Sequence, residues 1–347
     1  MLNFTSPLIK NVGIDFGSSR VRVFVEGRNI VLSEPAIVAA QDEEKNMIAV
    51  GDEAVKALVR RPERTFSRRA LQNGVVADYQ AARFMLRYFI NKSLNRSVKR
   101  FRVLMGIPSG STSVEKRALL DALMQSGAQE AYLIEGGAAA AIGAGLPIFQ
   151  PKGHMVVDIG GGMTEAAVLS LGGIVVSASV QIGGFSFNQR IVEYIRERYD
   201  LLVGYKTIED LKIAIGTAQQ PIDDPIVTIT GRDMTNGVQM VADIRASELY
   251  EIFQEPLGRI LELLQTVLGS TPPELCADIM ENGIVLTGGS ARLQGLPEFL
   301  SQSLGLPVYL ADDPENAGVL GIGMALAQRE SLAGIIEGAK RLYKRNM

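Results

Sequence analysis

The fold class can be inferred first from the segment Met155-Val156-Val157-Asp158-Ile159-Gly160-Gly161-Gly162. A short apolar run that ends in an acidic residue and a glycine-rich turn is typical of a buried strand whose turn lies close to another backbone or a ligand. A similar unit stands near the N-terminus as Val12-Gly13-Ile14-Asp15-Phe16-Gly17-Ser18-Ser19. The strand, the acid and the small turn therefore occur twice.

Each unit continues in the same way. After Asp15, residues 21–25 alternate apolar and polar side chains, and a turn leads to the pair Ile30-Val31. After Asp158, a second strand and a turn lead to the pair Ile174-Val175. The pairs begin at nearly the same spacing, 15 residues after Asp15 (30 − 15) and 16 residues after Asp158 (174 − 158). This spacing predicts a duplicated half that opens with an antiparallel meander.

Helical periodicity and strand-like runs share the rest of the chain. The predicted helices cover residues 80–94, 113–126, 188–199 and 248–268. The predicted strands cover residues 101–107, 131–134, 226–229, 283–286 and 308–310. Strands followed by helices favour parallel pairing, and the meanders add antiparallel pairs. We therefore expect an α/β protein with two hinged lobes, each with a mixed sheet flanked by helices.

The composition narrows the possible functions. At 347 residues the chain exceeds what one core usually supports, which favours two lobes. The net charge of −3 gives no basic field, so no nucleic-acid partner is expected. Cys276 and His154 are the only residues of their kinds, which argues against an intramolecular disulfide, a histidine-based metal site and a Ser-His-Asp triad. No run approaches the ~20 apolar residues of a membrane span, so we expect a cytoplasmic protein.

Three glycine-rich turns could bind a nucleotide. Asp15 and Asp158 each end a predicted strand before such a turn, and Thr287-Gly288-Gly289-Ser290-Ala291 follows a third strand. Glycines let backbone N–H groups approach phosphate oxygens, and a nest of such groups binds anions. A carboxylate beside a phosphate is repelled unless a cation lies between them, so the two Asp residues are expected to act through Mg²⁺ and its waters.

These motifs resemble, almost end to end, those of the MreB family of bacterial rod-shape-determining proteins, within the actin, Hsp70 and sugar-kinase superfamily. Asp15-Phe16-Gly17-Ser18-Ser19-Arg20 is similar to the family's first phosphate motif, Asp-Leu-Gly-Thr-Ala-Asn. Residues 157–165 are similar to the second, Val-Asp-Ile-Gly-Gly-Gly-Thr-Thr-Glu. Residues 284–293 resemble its adenosine motif, and residues 202–212 resemble the segment that supplies a Glu and a Lys to the nucleoside.

The resemblance implies an actin-like (ribonuclease H-like) duplicated α/β fold. Each of its two lobes would hold a mixed five-stranded sheet flanked by helices, with a smaller inserted subdomain. The expected division is residues 1–32, 67–148 and 315–347 for the lobe I core (IA), 33–66 for subdomain IB, 149–182 and 246–314 for the lobe II core (IIA), and 183–245 for subdomain IIB.

The resemblance also implies ATP or ADP with Mg²⁺ as the ligand. Asp15 and Asp158 would position Mg²⁺ and water, with no direct protein ligand to the metal. The residues expected to contact the nucleotide are Gly17, Ser18, Ser19, Arg20, Gly160, Gly161, Gly162, Met163, Glu209, Asp210, Leu211, Lys212, Gly288, Gly289, Ser290, Ala291, Arg292 and Leu293.

The chain departs from the family pattern where the chemistry is expected. Gly136 stands where the second Glu of Glu-Glu-Pro is associated with positioning the attacking water, and Met163 stands where a hydroxyl residue approaches the γ-phosphate. Phe185 replaces an Asp, and Arg20 replaces an Asn and either pairs with phosphate or is solvated. Glu135 is an alternative water-positioning residue, although the next helix position points about 100° away. Met163 alternatively packs into a closed, nucleotide-free cleft. We expect a slow ATPase at most.

The function implied by the resemblance is a cytoskeletal protein that polymerises head to tail into membrane-associated filaments and contributes to cell shape. The alternatives are a non-hydrolysing paralogue that acts as a scaffold or modulator and, more distantly, a small-molecule kinase. Expected partners are further copies of the chain, cell-wall or morphogenesis proteins and, weakly, the inner membrane surface, where the protein would be peripheral. The candidate membrane contacts are Leu2, Phe4, Leu8, Ile9 and Leu94.

Overall fold

The structure is a computed structural model that describes residues 9–41, 46–61, 64–72, 75–94, 98 and 100–340. The strands are β1 (Lys10–Phe16), β2 (Arg20–Val25), β3 (Asn29–Pro35), β4 (Val38–Gln41), β5 (Asn46–Val50), β6 (Thr65–Arg68), β7 (Leu71–Gln72), β8 (Val75–Val76), β9 (Phe101–Ile107), β10 (Glu130–Glu135), β11 (His154–Ile159), β12 (Thr164–Ser170), β13 (Gly173–Val180), β14 (Leu201–Leu202), β15 (Ile226–Asp233), β16 (Gln239–Arg245), β17 (Ile284–Thr287), β18 (Val308–Leu310) and β19 (Ile336–Lys340).

Along the chain, the helices mainly connect one strand to the next. They are α1 (Asp52–Arg60), α2 (Tyr79–Ser93), α3 (Ser113–Gln125), α4 (Gly136–Gly143), α5 (Gly184–Tyr199), α6 (Tyr205–Ile215), α7 (Ala246–Ser270), α8 (Pro273–Asn282), α9 (Leu296–Leu304) and α10 (Ala317–Ala327), with a 3₁₀ turn at Gly289–Arg292. Among the residues described, no helix combines the length and the apolarity needed to cross a membrane.

Two large sheets define the two lobes. The lobe I sheet has the strand order β19-β10-β9-β1-β2-β3, and the lobe II sheet has the order β13-β12-β11-β17-β18. In lobe I, β1 pairs antiparallel with β2 and parallel with β9, and β2 pairs antiparallel with β3. In lobe II, β11 pairs antiparallel with β12 and parallel with β17, and β12 pairs antiparallel with β13. The duplicated meander predicted from the sequence is therefore confirmed.

The lobe I sheet has one strand more than the five expected. β19 pairs antiparallel with β10, with Ile134 opposite Ile336 and Glu130 opposite Lys340. Ile336 also packs against the apolar cluster between the lobes, which holds this returning segment along the edge of the sheet. The pairing depends on a partner some two hundred residues earlier (340 − 130 = 210), which a local pattern does not reveal.

Each lobe also carries a smaller antiparallel sheet. The first has the order β5-β4-β6 and packs beside α1, and the second has the order β14-β15-β16. These sheets fall within or next to residues 33–66 and 183–245, the segments expected as inserted subdomains. The subdomain boundaries given above remain our proposal.

A shared apolar cluster joins the two lobes. It contains Leu104 of β9 in lobe I, Val156 of β11 in lobe II, the alanines of α4, and Ile322 and Leu326 of α10. Burial of apolar surface is the main favourable term in folding. Because the same cluster touches both sheets, packing between α4 and α10 determines how the lobes sit against each other.

The backbones of α4 and α10 touch. A Cβ on Gly143 would overlap the carbonyl oxygen of Ala317, and a Cβ on Gly321 would overlap the carbonyl oxygen of Ala139. Helices approach this closely only where glycine removes the side chain from the contact. The two glycines thus allow the connecting helices to pack backbone to backbone.

This contact predicts a large effect of one methyl group. We expect Gly321→Ala to lower the free energy of unfolding by about 1–3 kcal/mol or more, because the helices must separate to admit the Cβ. Gly258→Ala in α7 is the matched control, since a Cβ there meets no atom within 4 Å. The control should be neutral or slightly stabilising, because Ala is the better helix former. Urea denaturation measures both, and equal stability of the two variants would contradict the packing argument.

Candidate functional site

The glycine turns of the two lobes face each other across a cleft. Residues 17–19 connect β1 to β2 in lobe I, and residues 160–163 connect β11 to β12 in lobe II. A Cβ on Gly161 would lie 2.7 Å from the Cβ of Ser19, so only glycine permits the approach. Both turns lie at the carboxyl ends of strands with parallel neighbours, which is where α/β proteins bind ligands. The structure thus brings together the two turns predicted to hold phosphate.

Two carboxylates lie behind the turns. Asp15 is 3.6 Å from the Arg22 guanidinium, and the Thr287 hydroxyl donates a hydrogen bond of 2.8 Å to Asp158. Burial raises the pKa of Asp15 to about 6, against the opposing effect of Arg22 and with a further rise from Asp158. Burial also raises the pKa of Asp158, against the hydrogen bond from Thr287. Two carboxylates close enough to repel each other suit a hydrated divalent cation, which fits Mg²⁺ held through water.

Residues from three elements meet on one side of the cleft. The Ser290 hydroxyl donates to the carbonyl oxygen of Gly160 at 2.9 Å, which ties the third glycine turn to the second. The Lys212 ammonium donates to the carbonyl oxygen of Gly184 at 3.2 Å and to Glu209 at 3.0 Å. Burial lowers the pKa of Lys212, and Glu209 opposes that shift. Glu209 and Lys212 therefore lie beside the second glycine turn, and their contact with a nucleoside stays a prediction.

Some residues of the expected nucleotide site have side chains that face away from the cleft. On α6 the reason is that successive positions of an α-helix differ by about 100°. Asp210 is exposed and pairs with Lys206 at 3.4 Å, and Leu211 is buried in the lobe II core. Ala291 is buried in the same core. Arg292 pairs with Glu315 at 3.6 Å, and Glu315 also lies 3.7 Å from Arg22, the partner of Asp15, so Arg292 lies at the edge of the cleft. Asp210, Leu211 and Ala291 therefore lie outside the cleft.

Arg20 is engaged by its own strand pair. Its guanidinium donates to the hydroxyl of Ser33 at 3.0 Å and to the carbonyl oxygen of Ser33 at 2.8 Å. β2 and β3 are neighbours, so the side chain lies along the sheet. A phosphate contact by Arg20 would require these bonds to break.

Phe185 contributes to an aromatic contact across the cleft. The Arg69 guanidinium lies over its ring at 4.4 Å from the centroid, and an Arg69 nitrogen is 3.4 Å from the carbonyl oxygen of Ser18. Tyr205 packs edge-on against the same ring, with centroids 6.4 Å apart. A cation above an aromatic ring contributes about 0.5–1 kcal/mol at an exposed site. Phe185, which stands where the family has Asp, thus connects lobe II to Arg69 of lobe I.

The positions expected to serve hydrolysis lie around Glu165. Met163 lines a cavity of about 170 Å³ together with Ser109. Gly136 is the first residue of α4, and a Cβ there would overlap Oε2 of Glu165 and lie 3.2 Å from its Cδ. Glu165 is buried, and its Oε1 accepts a hydrogen bond of 2.6 Å from the Ser109 N–H. Burial raises the pKa of Glu165 to about 8, with smaller contributions from Asp158 and Glu135.

Four residues near the cleft were missed by the sequence reasoning: Arg22, Ser109, Glu165 and Thr287. Two of them stand inside quoted motifs, Glu165 at the end of the second phosphate motif and Thr287 before the third glycine turn. Arg22 lies on β2, directly opposite Asp15 in the β1–β2 register, which the alternation of that strand could have indicated. Ser109 comes from the loop after β9, and no sequence signal marks it.

The expected membrane contacts are only partly within the described chain. Leu2, Phe4 and Leu8 lie outside the described residues. Ile9 is half-buried, and Leu94 is half-buried against the lobe I core. Contact of Leu94 with lipid would therefore require it to leave that packing.

Glu165 predicts a pH dependence of stability. Burial raises the pKa of Glu165 in the folded protein from the ordinary 4.5 to about 8. The folded state then binds more protons than the unfolded chain over this interval, so the stability that this group contributes falls as pH rises towards 8. We expect Glu165→Gln, which cannot ionise, to lose less thermal stability than the parent as pH rises from about 5 to about 8. Thermal unfolding without nucleotide measures this, and parallel curves would contradict it.

Comparison with known proteins places the chain among cell shape-determining proteins. The family model described as MreB/Mbl protein matches residues 9–334. The chain is 40% identical over 324 residues to the cell shape-determining protein Mbl of Bacillus subtilis (strain 168), covering 93% of this chain and 97% of that protein. It is also 40% identical over 329 residues to the cell shape-determining protein MreB of Escherichia coli (strain K12), covering 93% and 95%.

Solved structures show the same relationship. The chain superposes on MreB5 of Spiroplasma citri bound to AMPPNP with a TM-score of 0.87 at 32% identity, covering 93% of this chain and 97% of that chain. A MamK double helical filament shares the fold, with a TM-score of 0.78 at 21% identity and coverage of 93% and 99%. The two-lobed fold with its duplicated meander is therefore actin-like, and the chain belongs to the MreB/Mbl family of bacterial actin homologues.

Proposed function

We propose that the protein binds ATP or ADP with Mg²⁺ between its lobes and polymerises head to tail into filaments that contribute to cell shape. The observation that carries the proposal is the meeting of Ser19 and Gly161, which places both phosphate turns in front of Asp15 and Asp158. Structures of the related MreB5 of Spiroplasma citri bound to AMPPNP and to ADP support a nucleotide at this place.

Each part of the nucleotide would meet a different element. Backbone N–H groups of residues 17–19 and 160–163 would bind the phosphates, since glycine turns expose such groups. Asp15 and Asp158 would orient the waters of Mg²⁺. Glu209, Lys212 and Ser290 line the side of the cleft where the ribose and base would lie. When bound, Mg²⁺ supplies charge neutralisation for the phosphates.

Nucleotide binding is coupled to assembly through closure of the cleft. The triphosphate would contact turns from both lobes, so it binds the closed arrangement better than the open one and shifts the population towards it. A closed protomer presents two different end surfaces in a fixed relation, and a heterologous contact that does not close generates a filament. Hydrolysis is then needed for filament turnover, and Gly136 and Met163 make that turnover slow.

This proposal predicts that one carboxylate controls both binding and assembly. Asp158→Ala should abolish the thermal shift given by Mg-ATP and reduce the protein that pellets with Mg-ATP, because the cation is no longer held against the turns. Asp210→Ala, an exposed carboxylate on α6 away from the cleft, is the matched control and should behave as the parent. Electron microscopy identifies the pelleted species as filaments. A parent that stays monomeric by light scattering at micromolar concentration, with ATP and lipid present, would overturn the cytoskeletal function.

We further propose that the filaments lie in the cytoplasm at the membrane surface, with cell-wall or morphogenesis proteins as partners. Two features of the sequence support contact with the membrane. They are the basic segment of residues 95–102, which follows α2, and the apolar N-terminal residues. Arg102 of this segment pairs with Glu130 at 2.6 Å. The sequence places Lys99 and Arg100 beside it as further basic residues. Each basic residue near an anionic surface contributes roughly 1 kcal/mol.

The expected membrane binding is weak and sensitive to salt. Co-sedimentation with vesicles rich in anionic lipid should exceed that with neutral vesicles, because the attraction is electrostatic. Removal of residues 2–9 together with Lys99→Ala and Arg100→Ala should abolish it. Equal binding to neutral vesicles, or undiminished binding by the altered protein, would contradict this part of the proposal.

A further inference from the structure

We propose that Glu165 is the carboxylate that positions the attacking water for ATP hydrolysis, in the space that Gly136 leaves free. The inference rests on the proposed nucleotide site and adds a catalytic residue to it. It starts from one contact: Oε2 of Glu165 lies where a side chain at position 136 would begin. A residue larger than glycine at 136 and the observed position of Glu165 exclude each other.

The strand register brings Glu165 to the phosphate side of the cleft. Asp158 and Glu165 are directly opposite each other in the β11–β12 pair. Opposite residues of an antiparallel pair have side chains on the same face, with Cβ atoms about 4.5–5.5 Å apart. The carboxylate of Glu165 therefore shares a face with Asp158, which would hold the hydrated cation, and follows the Gly160–Met163 turn by two residues.

The surroundings of Glu165 fix its orientation. Oε1 accepts the Ser109 N–H at 2.6 Å, while Oε2 lies at the first residue of α4. The N-terminus of α4 favours negative charge, whereas burial raises the pKa of Glu165 to about 8, a value near neutral pH that suits a group which takes up and releases a proton. One oxygen is thus anchored to lobe I, and the other is the one available to accept a hydrogen bond from water.

The neighbouring candidates are committed elsewhere. Glu135 is the residue that precedes α4, and its side chain accepts a hydrogen bond of 3.0 Å from the Ser177 hydroxyl. The Thr164 hydroxyl is buried and donates to the carbonyl oxygen of Ile182 at 2.8 Å, so it does not replace the hydroxyl missing at Met163. Of these neighbouring side chains, Glu165 is therefore the one placed to position the attacking water beside Gly136.

The step can be written in full. Glu165 accepts a hydrogen bond from a water whose oxygen forms a new bond to the γ-phosphorus. The bond from the γ-phosphorus to the bridging β-phosphate oxygen breaks, and its electron pair leaves on ADP. The proton lost by the water passes to Glu165 and from there to solvent or to the phosphate product.

The test compares release of labelled phosphate from Mg-ATP with binding of a fluorescent ATP analogue. Glu165→Gln keeps the shape and the Ser109 contact, and should lower phosphate release at least tenfold with unchanged affinity, since acid–base groups typically contribute 10²–10⁴-fold. Gly136→Ala should also slow release, because its Cβ displaces Oε2. Glu135→Gln changes the residue directly before Gly136. This variant is the matched control and should hydrolyse ATP at the parental rate.

The outcomes separate this inference from the proposed function. Parental phosphate release by Glu165→Gln, or a fall of the same size in Glu135→Gln, overturns the role of Glu165 and leaves nucleotide binding intact. A parent that binds the analogue and releases no phosphate above background overturns it as well. A parent that binds no analogue overturns the proposed function itself. Thermal unfolding of each variant confirms that it is folded, and Gly136→Ala tests the same contact from the opposite side.

Discussion

The architecture depends on the contact between α4 and α10, whose backbones touch at Gly143 and Gly321. Each helix begins at the cleft between the lobes. α4 starts at Gly136 beside Glu165, and a Cβ on Gly318 near the start of α10 would lie 3.9 Å from Oδ2 of Asp15. Any rotation of one lobe against the other must change the packing of α4 against α10. Movement of the hinge and the arrangement of charged groups in the cleft are therefore physically linked.

Much of the fold could be predicted because its information is local. The strand, acid and glycine turn around Asp15 and Asp158 are contiguous, and their spacing revealed the duplication. Pairings between distant segments could not be predicted, as with β19 on β10. β16 was also missed, because Gln239, Val241 and Asp243 are exposed and the strand has little apolar alternation.

The candidate site shows the same division. Glycine turns need particular residues at particular positions, so the sequence located them. Which residue of a helix faces the cleft depends on rotation about its axis, and this separated Glu209 and Lys212 from Asp210 and Leu211. The approach of Glu165 to Gly136 joins β12 to α4 and depends on tertiary packing. The sequence showed that a carboxylate was missing at Gly136 and gave no sign of another beside it.

Binding and hydrolysis place different demands on these residues. Phosphate binding relies on backbone N–H groups and a cation, and the turns that supply them are intact. Hydrolysis would rely on a few side chains, of which two are replaced at Gly136 and Met163 while Glu165 is kept. The most direct measurement is a cryo-electron microscopy map of filaments assembled with AMPPNP and Mg²⁺. We expect triphosphate density between residues 17–19 and 160–163, with Glu165 facing the γ-phosphate. Filaments with an empty cleft and the two turns still in contact would contradict it.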